Sequence, residues 1–201
     1  ELTGVEIDTE FATELEANYT QLAVEQEQYL YDVIYTIFRN KVNNHPALQE
    51  LIAKQAKIKK LRGTEYQDKI NFNSAPKLKY LFFDILGFPK LYRRDPMSCG
   101  KEQQQLWLDS DKVSKGQKEF LKAFMEWRKT MKLVSSFIVK IPEAREPKTN
   151  AVHTNFNQLG AKTGRFSSSH PIHKINLQQI PSRNKDIRKL FMTREGHVII
   201  G

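Results

Sequence analysis

The strongest constraint on the fold is a stripe of bulky apolar residues. Between Gln117 and Ile141, Phe120, Phe124, Trp127, Met131, Val134 and Ile138 recur on one side of a helix turning about 100° per residue. A chain with such a face must bury it against a second layer. Lys118, Lys122, Lys129, Lys132 and Ser136 fall on the opposite side, within an arc of about 80°, as a row of donors suited to a phosphate backbone. Solubility alone also explains lysines, but five donors opposite a core stripe favour a nucleic-acid partner. The aromatic bulk of the stripe suits a protein core better than a membrane surface.

Upstream, residues 9 to 38 read as one long helix. Asp8 or Thr9 is its cap, acids fill its first turns, and Phe11, Leu15, Leu22, Val33 and Ile37 keep helical spacing. About 30 residues would span roughly 45 Å, the length of a strut between domains. No basic residue precedes Arg39, whereas nine of the 23 acids do. The chain as a whole carries +9, so residues 39 to 201 carry +18. That asymmetry turns the acidic helix away from nucleic acid, or onto a basic neighbour, and gives the remainder to phosphates.

Further elements follow from local punctuation. Asn43, Asn44 and Pro46 introduce a second helix ending at Gly63, with Lys54, Lys57, Lys59, Lys60 and Arg62 in its last turns; a phosphate-facing patch and a solvated face both fit. Asn71 to Leu86 predicts a short helix capped by Asn73 or Ser74, with Leu78, Leu81, Phe82 and Ile85 inward and Gly87 closing it. Residues 88 to 116 read as loop with short helical pieces. Pro142 to Thr149 is a polar connector and the clearest boundary. Beyond it, Ala151 to Phe156, the residues before Pro171 and His197 to Ile200 have strand character, and Lys185 to Phe191 has that of a short helix.

Hydrophobic residues at 39% and charged residues at 27% are globular values, which excludes a disordered chain. A single cysteine, Cys99, excludes an internal disulfide and a thiolate zinc cluster and points to a reducing compartment. No apolar run reaches the roughly 18 residues of a membrane span, and the acidic start lacks signal-peptide features, so the expected setting is cytoplasmic, without membrane.

The functional signal lies in Lys162 to Pro181, KTGRFSSSHPIHKINLQQIP. Glycine permits close backbone approach, arginine supplies a rigid donor fork, and Asn176, Gln178 and Gln179 both donate and accept. Such groups can check minor-groove acceptors without selecting sequence. Other chemistries fail here. GAKTGR has its glycines too close together for a phosphate-binding loop, His170 and His173 lack further metal ligands in the sequence around them, and no histidine and acid pair activates the serines.

Four motifs in order, HTNFNQ (His153 to Gln158), TGRFSSS (Thr163 to Ser169), NLQQIP (Asn176 to Pro181) and IRKLF (Ile187 to Phe191), resemble family A DNA polymerases of the bacterial polymerase I type. GVEID at Gly4 to Asp8, INFNSAPKL and WRKTMKLVSSFI resemble parts of that family's thumb. The resemblance implies a mainly α chain of long thumb helices, followed by an α+β segment that begins an antiparallel palm sheet. The division would be a long acidic helix over 1–40, the rest of the thumb over 41–148 with a basic insertion at about 41–68, and the start of the palm over 149–201.

Residue by residue, the resemblance implies that Arg165 reaches the minor groove at the primer-terminal pair, with Asn176, Gln178 and Gln179 behind it. Thr163, Asn157 and Gln158 would line the template side, Arg183 would lie near the primer terminus or incoming nucleotide, and Arg128, Lys132, Ser135 and Ser136 would grip phosphates, joined by Lys129 of the basic helix face. No catalytic residue and no metal ligand is expected here, because the family's Mg2+-binding carboxylates follow EGHVIIG. The segment alone is therefore expected to be inactive, with primer-template DNA, deoxynucleoside triphosphates and a C-terminal polymerase piece as partners. Ile172 to Ile175 depart from the family pattern by an added bulge, and Gln179 replaces a usual asparagine; the insertion at 41–68 is divergence of a kind that suits a phage enzyme. The alternative is a non-catalytic duplex-binding or processivity module derived from a polymerase.

Overall fold

The structure is a computed structural model that describes residues 4–43, 71–160, 163–181, 184–193 and 196, with backbone only over 35–43. The proposed second helix, Arg183 and the strand at His197 to Ile200 lie outside the described residues. The chain divides into two compact units, one of residues 1–25 and 127–201 and one of residues 26–126. Among the described residues helices dominate, and the strands form two small antiparallel pairs, in line with the mainly α class expected with a small sheet. Among the described residues, no helix is long and apolar enough to cross a membrane.

In the unit of residues 26–126, an aromatic cluster forms the core. Helix α1 (Thr9–Asn43) contributes Leu30, Tyr31, Val33 and Ile34 from its later turns. Helix α2 (Ala75–Lys79) starts after Ser74, which holds the cap position without a side-chain hydrogen bond, and runs into a π-helical turn over Tyr80–Ile85. Leu78, Leu81, Phe82 and Ile85 are buried as their spacing predicts, and Gly87, at φ 68°, ends the element. Phe82 stacks on Trp107 with ring centroids 5.1 Å apart and meets Phe88, Phe120 and Phe124.

Trp107 belongs to helix α3 (Lys101–Asp109), a regular nine-residue element within the stretch read from sequence as mostly loop. The discrepancy has a physical cause: α3 buries Gln103 and Gln104 beside its tryptophan. Gln103 donates to the Pro89 carbonyl and accepts from the Tyr92 amide, Gln104 donates to the Cys99 carbonyl, and the Trp107 indole N–H also donates to Pro89. Buried carboxamides bonded to backbone carbonyls act as core residues, which apolar periodicity does not register.

Helix α4 (Lys115–Leu133) begins with a reciprocal cap: the Gln117 amide donates to Ser114 Oγ, and the Ser114 amide to Gln117 Oε1. A π-helical turn at Val134–Ile138 follows, then the single turn α5 (Lys140–Glu143). Phe120, Phe124, Trp127 and Ile138 are buried as expected, but Met131 and Val134 are only partly so, and Phe137 is buried in addition. The wide turn rotates the residues after Val134 out of phase with a regular helix, which brings Phe137 inward.

The core of the other unit gathers Ile7, Ala12, Leu15, Phe137, Ile138, Ile141, Val152, Ile175, Ile187 and Leu190. Asp8 caps α1 by accepting the Phe11 amide at 2.9 Å. Leu22, expected inward, is 39% exposed because the neighbouring Ala23 takes the inward position. Strand β1 (Val5–Glu6) pairs antiparallel with β2 (Ala151–Val152). The same N-terminal segment is held by the amides of Ile7 on Asn150, Asp8 on Leu190 and Met192 on Glu6. Residues 151 to 156 thus form two strands rather than one, because the chain leaves β1 at His153 and Thr154 and takes a new partner as β3 (Asn155–Asn157). Beyond it lie β4 (Ser167–Ser169) and α6 (Lys185–Lys189), whose cap Asn184 accepts the amides of Asp186 and Ile187 and donates to the Tyr19 hydroxyl.

Candidate nucleic-acid interface

The conspicuous polar surface is built on the β3–β4 hairpin. Asn155, Phe156 and Asn157 pair with Ser169, Ser168 and Ser167, and all three residues of β3 are exposed, so this ribbon has no covered face along β3. Asn157 and Gln158 stand exposed where β3 ends, and Asn157 Oδ1 accepts the Leu159 amide to turn the chain. Thr163, Gly164 and Arg165 lie exposed on the return. Gly164 sits at φ 72° with open space around it, so backbone conformation rather than crowding selects glycine.

Ser168 is the inward residue of β4, only 2% exposed, and its Oγ accepts the Leu177 amide at 3.2 Å. Leu177–Gln179 form a 3-10 turn capped by Asn176, whose Oδ1 accepts the Gln178 amide at 2.9 Å. Gln178 and Gln179 are exposed and Asn176 is half-buried. The hairpin carrying Asn157, Gln158, Thr163 and Arg165 and the turn carrying Asn176, Gln178 and Gln179 are therefore tied into one assembly. Ser168, the tie, was not singled out from sequence; alternation along the three serines was the available signal.

Between β4 and the 3-10 turn, the departure at Ile172 to Ile175 is closed on itself. The His170 amide donates to the Ile175 carbonyl at 2.8 Å and the Lys174 amide to the His170 carbonyl at 3.1 Å, with Lys174 at φ 56°. Ile175 returns to the core while Ile172, 78% exposed, marks the tip. Three histidines gather here. His173 lies 3.8 Å from Glu143 and His153 lies 3.5 Å from Glu146. Burial lowers the His170 pKa from 6.5, and the charges of His173 and His153 lower it further. Among the described residues, no group of three or more His, Cys, Asp or Glu side chains is arranged to hold a metal ion.

On α4 and its π-helical extension, Arg128, Lys129, Lys132 and Ser135 are exposed and Ser136 is half-buried. The Ser135 hydroxyl donates to the Met131 carbonyl at 2.7 Å, so its one hydrogen is engaged within the helix. Lys122 is exposed and Lys118 half-buried on the earlier turns.

Comparison with known proteins identifies the family. A model of the family described as DNA polymerase family A matches residues 41–201. The thermostable DNA polymerase I of Thermus aquaticus is 31% identical over 158 residues, 76% of this chain and 17% of that protein. The DNA polymerase of Bacillus phage SP01 is 32% identical over 165 residues, 79% of this chain and 17% of that protein. The chain thus spans about a sixth of these relatives. Among solved structures, the POL domain of Pol1 from M. smegmatis, in complex with DNA primer-template and dNTP, superposes with a TM-score of 0.64 over 97% of this chain and 28% of that one, at 21% identity.

Proposed function

The chain belongs to DNA polymerase family A, and from that premise we propose that it is the duplex-gripping part of a DNA-directed DNA polymerase. The observation that carries the reading is the Ser168–Leu177 tie, which joins Arg165 and the hairpin carboxamides to Gln178 and Gln179. Arg165 meets the minor groove at the primer-terminal pair, Asn176, Gln178 and Gln179 contact the duplex behind it, and Thr163, Asn157 and Gln158 line the template side. Arg183 is assigned to the primer terminus or incoming nucleotide by its motif alone. Arg128, Lys129, Lys132 and Ser136 take phosphates, and Ser135 joins them by exchanging its bond to Met131.

Residues 1–40 and 41–148 then serve as thumb, with 41–68 an inserted basic element, and residues 149–201 begin the palm. By the motif resemblance, the metal-dependent addition of deoxynucleotides to the primer 3′ end is assigned to carboxylates outside this segment. A C-terminal polymerase piece supplying palm and fingers is the matching partner, with the cytoplasm of a bacterium or phage-infected cell as the setting.

The test is reconstitution. Adding a chain with the remaining palm and fingers of a family A polymerase is expected to restore primer extension in magnesium, while this segment alone extends nothing. Duplex binding without extension in the mixture would favour the second reading, a non-catalytic duplex-binding or processivity module, which rests on the basic face of α4. Absence of duplex binding would overturn both.

A further inference from the structure

His170 caps the backbone of the turn that follows it. Its Nδ1 accepts the amides of both Ile172 and His173, at 3.3 and 3.1 Å. This is the pattern Asn184 makes with Asp186 and Ile187 through Oδ1. An asparagine oxygen accepts at any ordinary pH, whereas Nδ1 accepts only while it carries no proton. The bonds therefore require the neutral ring with its hydrogen on Nε2.

The loop so fixed is the link between β4 and the 3-10 turn. Its ends are joined by the bond from the His170 amide to the Ile175 carbonyl, and Asn176, cap of the turn that presents Gln178 and Gln179, comes next. Held shut, the detour adds residues at Ile172 and His173 while letting the chain pass from Ser169 to Asn176 through one closed turn.

We propose that His170 is a positioning residue that acts as a proton-operated latch: its neutral imidazole holds the 171–174 turn shut and so sets Asn176, Gln178 and Gln179, and protonation releases them. The latch concerns the turn itself; its effect on DNA rests on the duplex-gripping reading above.

The charged neighbours define the direction of the switch. The His173 ring stands 5.1 Å away, centroid to centroid, with Glu143 3.8 Å from its Nδ1, His153 stands with Glu146, and Lys174 lies within the turn. The two carboxylates nearest the cluster thus face the other two imidazoles. Burial first, then His173 and His153, depresses the His170 pKa below 6.5. The latch stabilisation is full above that unfolded-state value and is lost as pH falls through the lower native one.

Nuclear magnetic resonance of the 201-residue chain, compared with His170→Asn and His170→Ala, tests the latch. In the wild type, an unprotonated Nδ1 at neutral pH and protected amides at Ile172 and His173 are expected, with protection falling about tenfold or more as His170 titrates. His170→Asn should keep that protection without a pH step, and His170→Ala should lack it throughout while the amides of α1 stay protected. A proton on Nδ1 at neutral pH, or unchanged protection through the titration, would overturn the latch.

Duplex affinity supplies the second readout. Acidification should weaken wild-type binding about threefold or more beyond the loss in His170→Asn. Parallel curves for the two would overturn control of DNA binding even where the amides show the latch operating. A chain that binds no duplex at any pH would refute the proposed function, and the amide measurements would still decide the latch.

Discussion

The amide of Leu177 donates to the hydroxyl of Ser168 across the space between β4 and the 3-10 turn, at 3.2 Å. Through this bond a hairpin with three exposed β3 residues acquires a fixed position relative to the next motif. Ser168→Ala should leave the Leu177 N–H without that acceptor, at a cost of about 1–3 kcal/mol. Urea denaturation measures the loss, and duplex affinity should fall with it although Ser168 itself is buried.

Gly164→Ala tests a purely conformational demand. Nothing lies within 4 Å of the position a Cβ would take, yet φ is 72°. The substitution should cost about 1–2 kcal/mol through left-handed backbone strain. Gly164→Asn, better tolerated there, should recover part of it in the same melting experiment.

Arg165→Ala should leave stability within about 0.5 kcal/mol of wild type, since the side chain is exposed. In the reconstituted enzyme it should impair extension more than equilibrium duplex binding. An equal loss in both would remove Arg165 from the primer terminus.

Lys129→Ala and Lys132→Ala should each weaken duplex binding across sequences and reduce the slope of log affinity against log salt by about 1. A salt titration with two unrelated duplexes checks both statements. An unchanged slope would detach these lysines from the phosphate backbone.

Trp107 separates packing from hydrogen bonding in the unit of residues 26–126. Trp107→Phe keeps an aromatic ring against Phe82 and loses the bond to the Pro89 carbonyl, which should cost about 1 kcal/mol. Trp107→Ala should cost about 3–5 kcal/mol, because the ring is wholly buried. Chemical denaturation distinguishes the two.

The elements built on apolar spacing and capping were legible in the sequence: α1 from Asp8, the inward set Leu78, Leu81, Phe82 and Ile85, and the first three residues of the α4 stripe. What escaped depends on partners distant in sequence. Gln103 and Gln104 look like surface residues until the carbonyls of Pro89 and Cys99 are beside them. The strand at Ala151 divides because β1 and β4 compete for its two halves. In the polar surface, Arg165, Asn157 and Gln178 are exposed, whereas Ser168 and His170 act through bonds to the backbone, which residue type alone does not announce.

The N-terminal segment has a temporal consequence. Ile7 and Asp8 are bonded to Asn150 and Leu190, partners more than 140 residues later, whereas residues 26–126 form an unbroken unit. At a synthesis rate of roughly 5–20 residues per second, Ile7 and Leu15 wait on the order of 10–40 s for their core to be translated. During that interval the acids of early α1, Glu10, Glu14 and Glu16, keep the waiting apolar face soluble by charge repulsion between nascent chains. The unit of residues 26–126 is translated whole within that interval, and the core around Ile7 is completed only when Asn150 and Leu190 reach back to it.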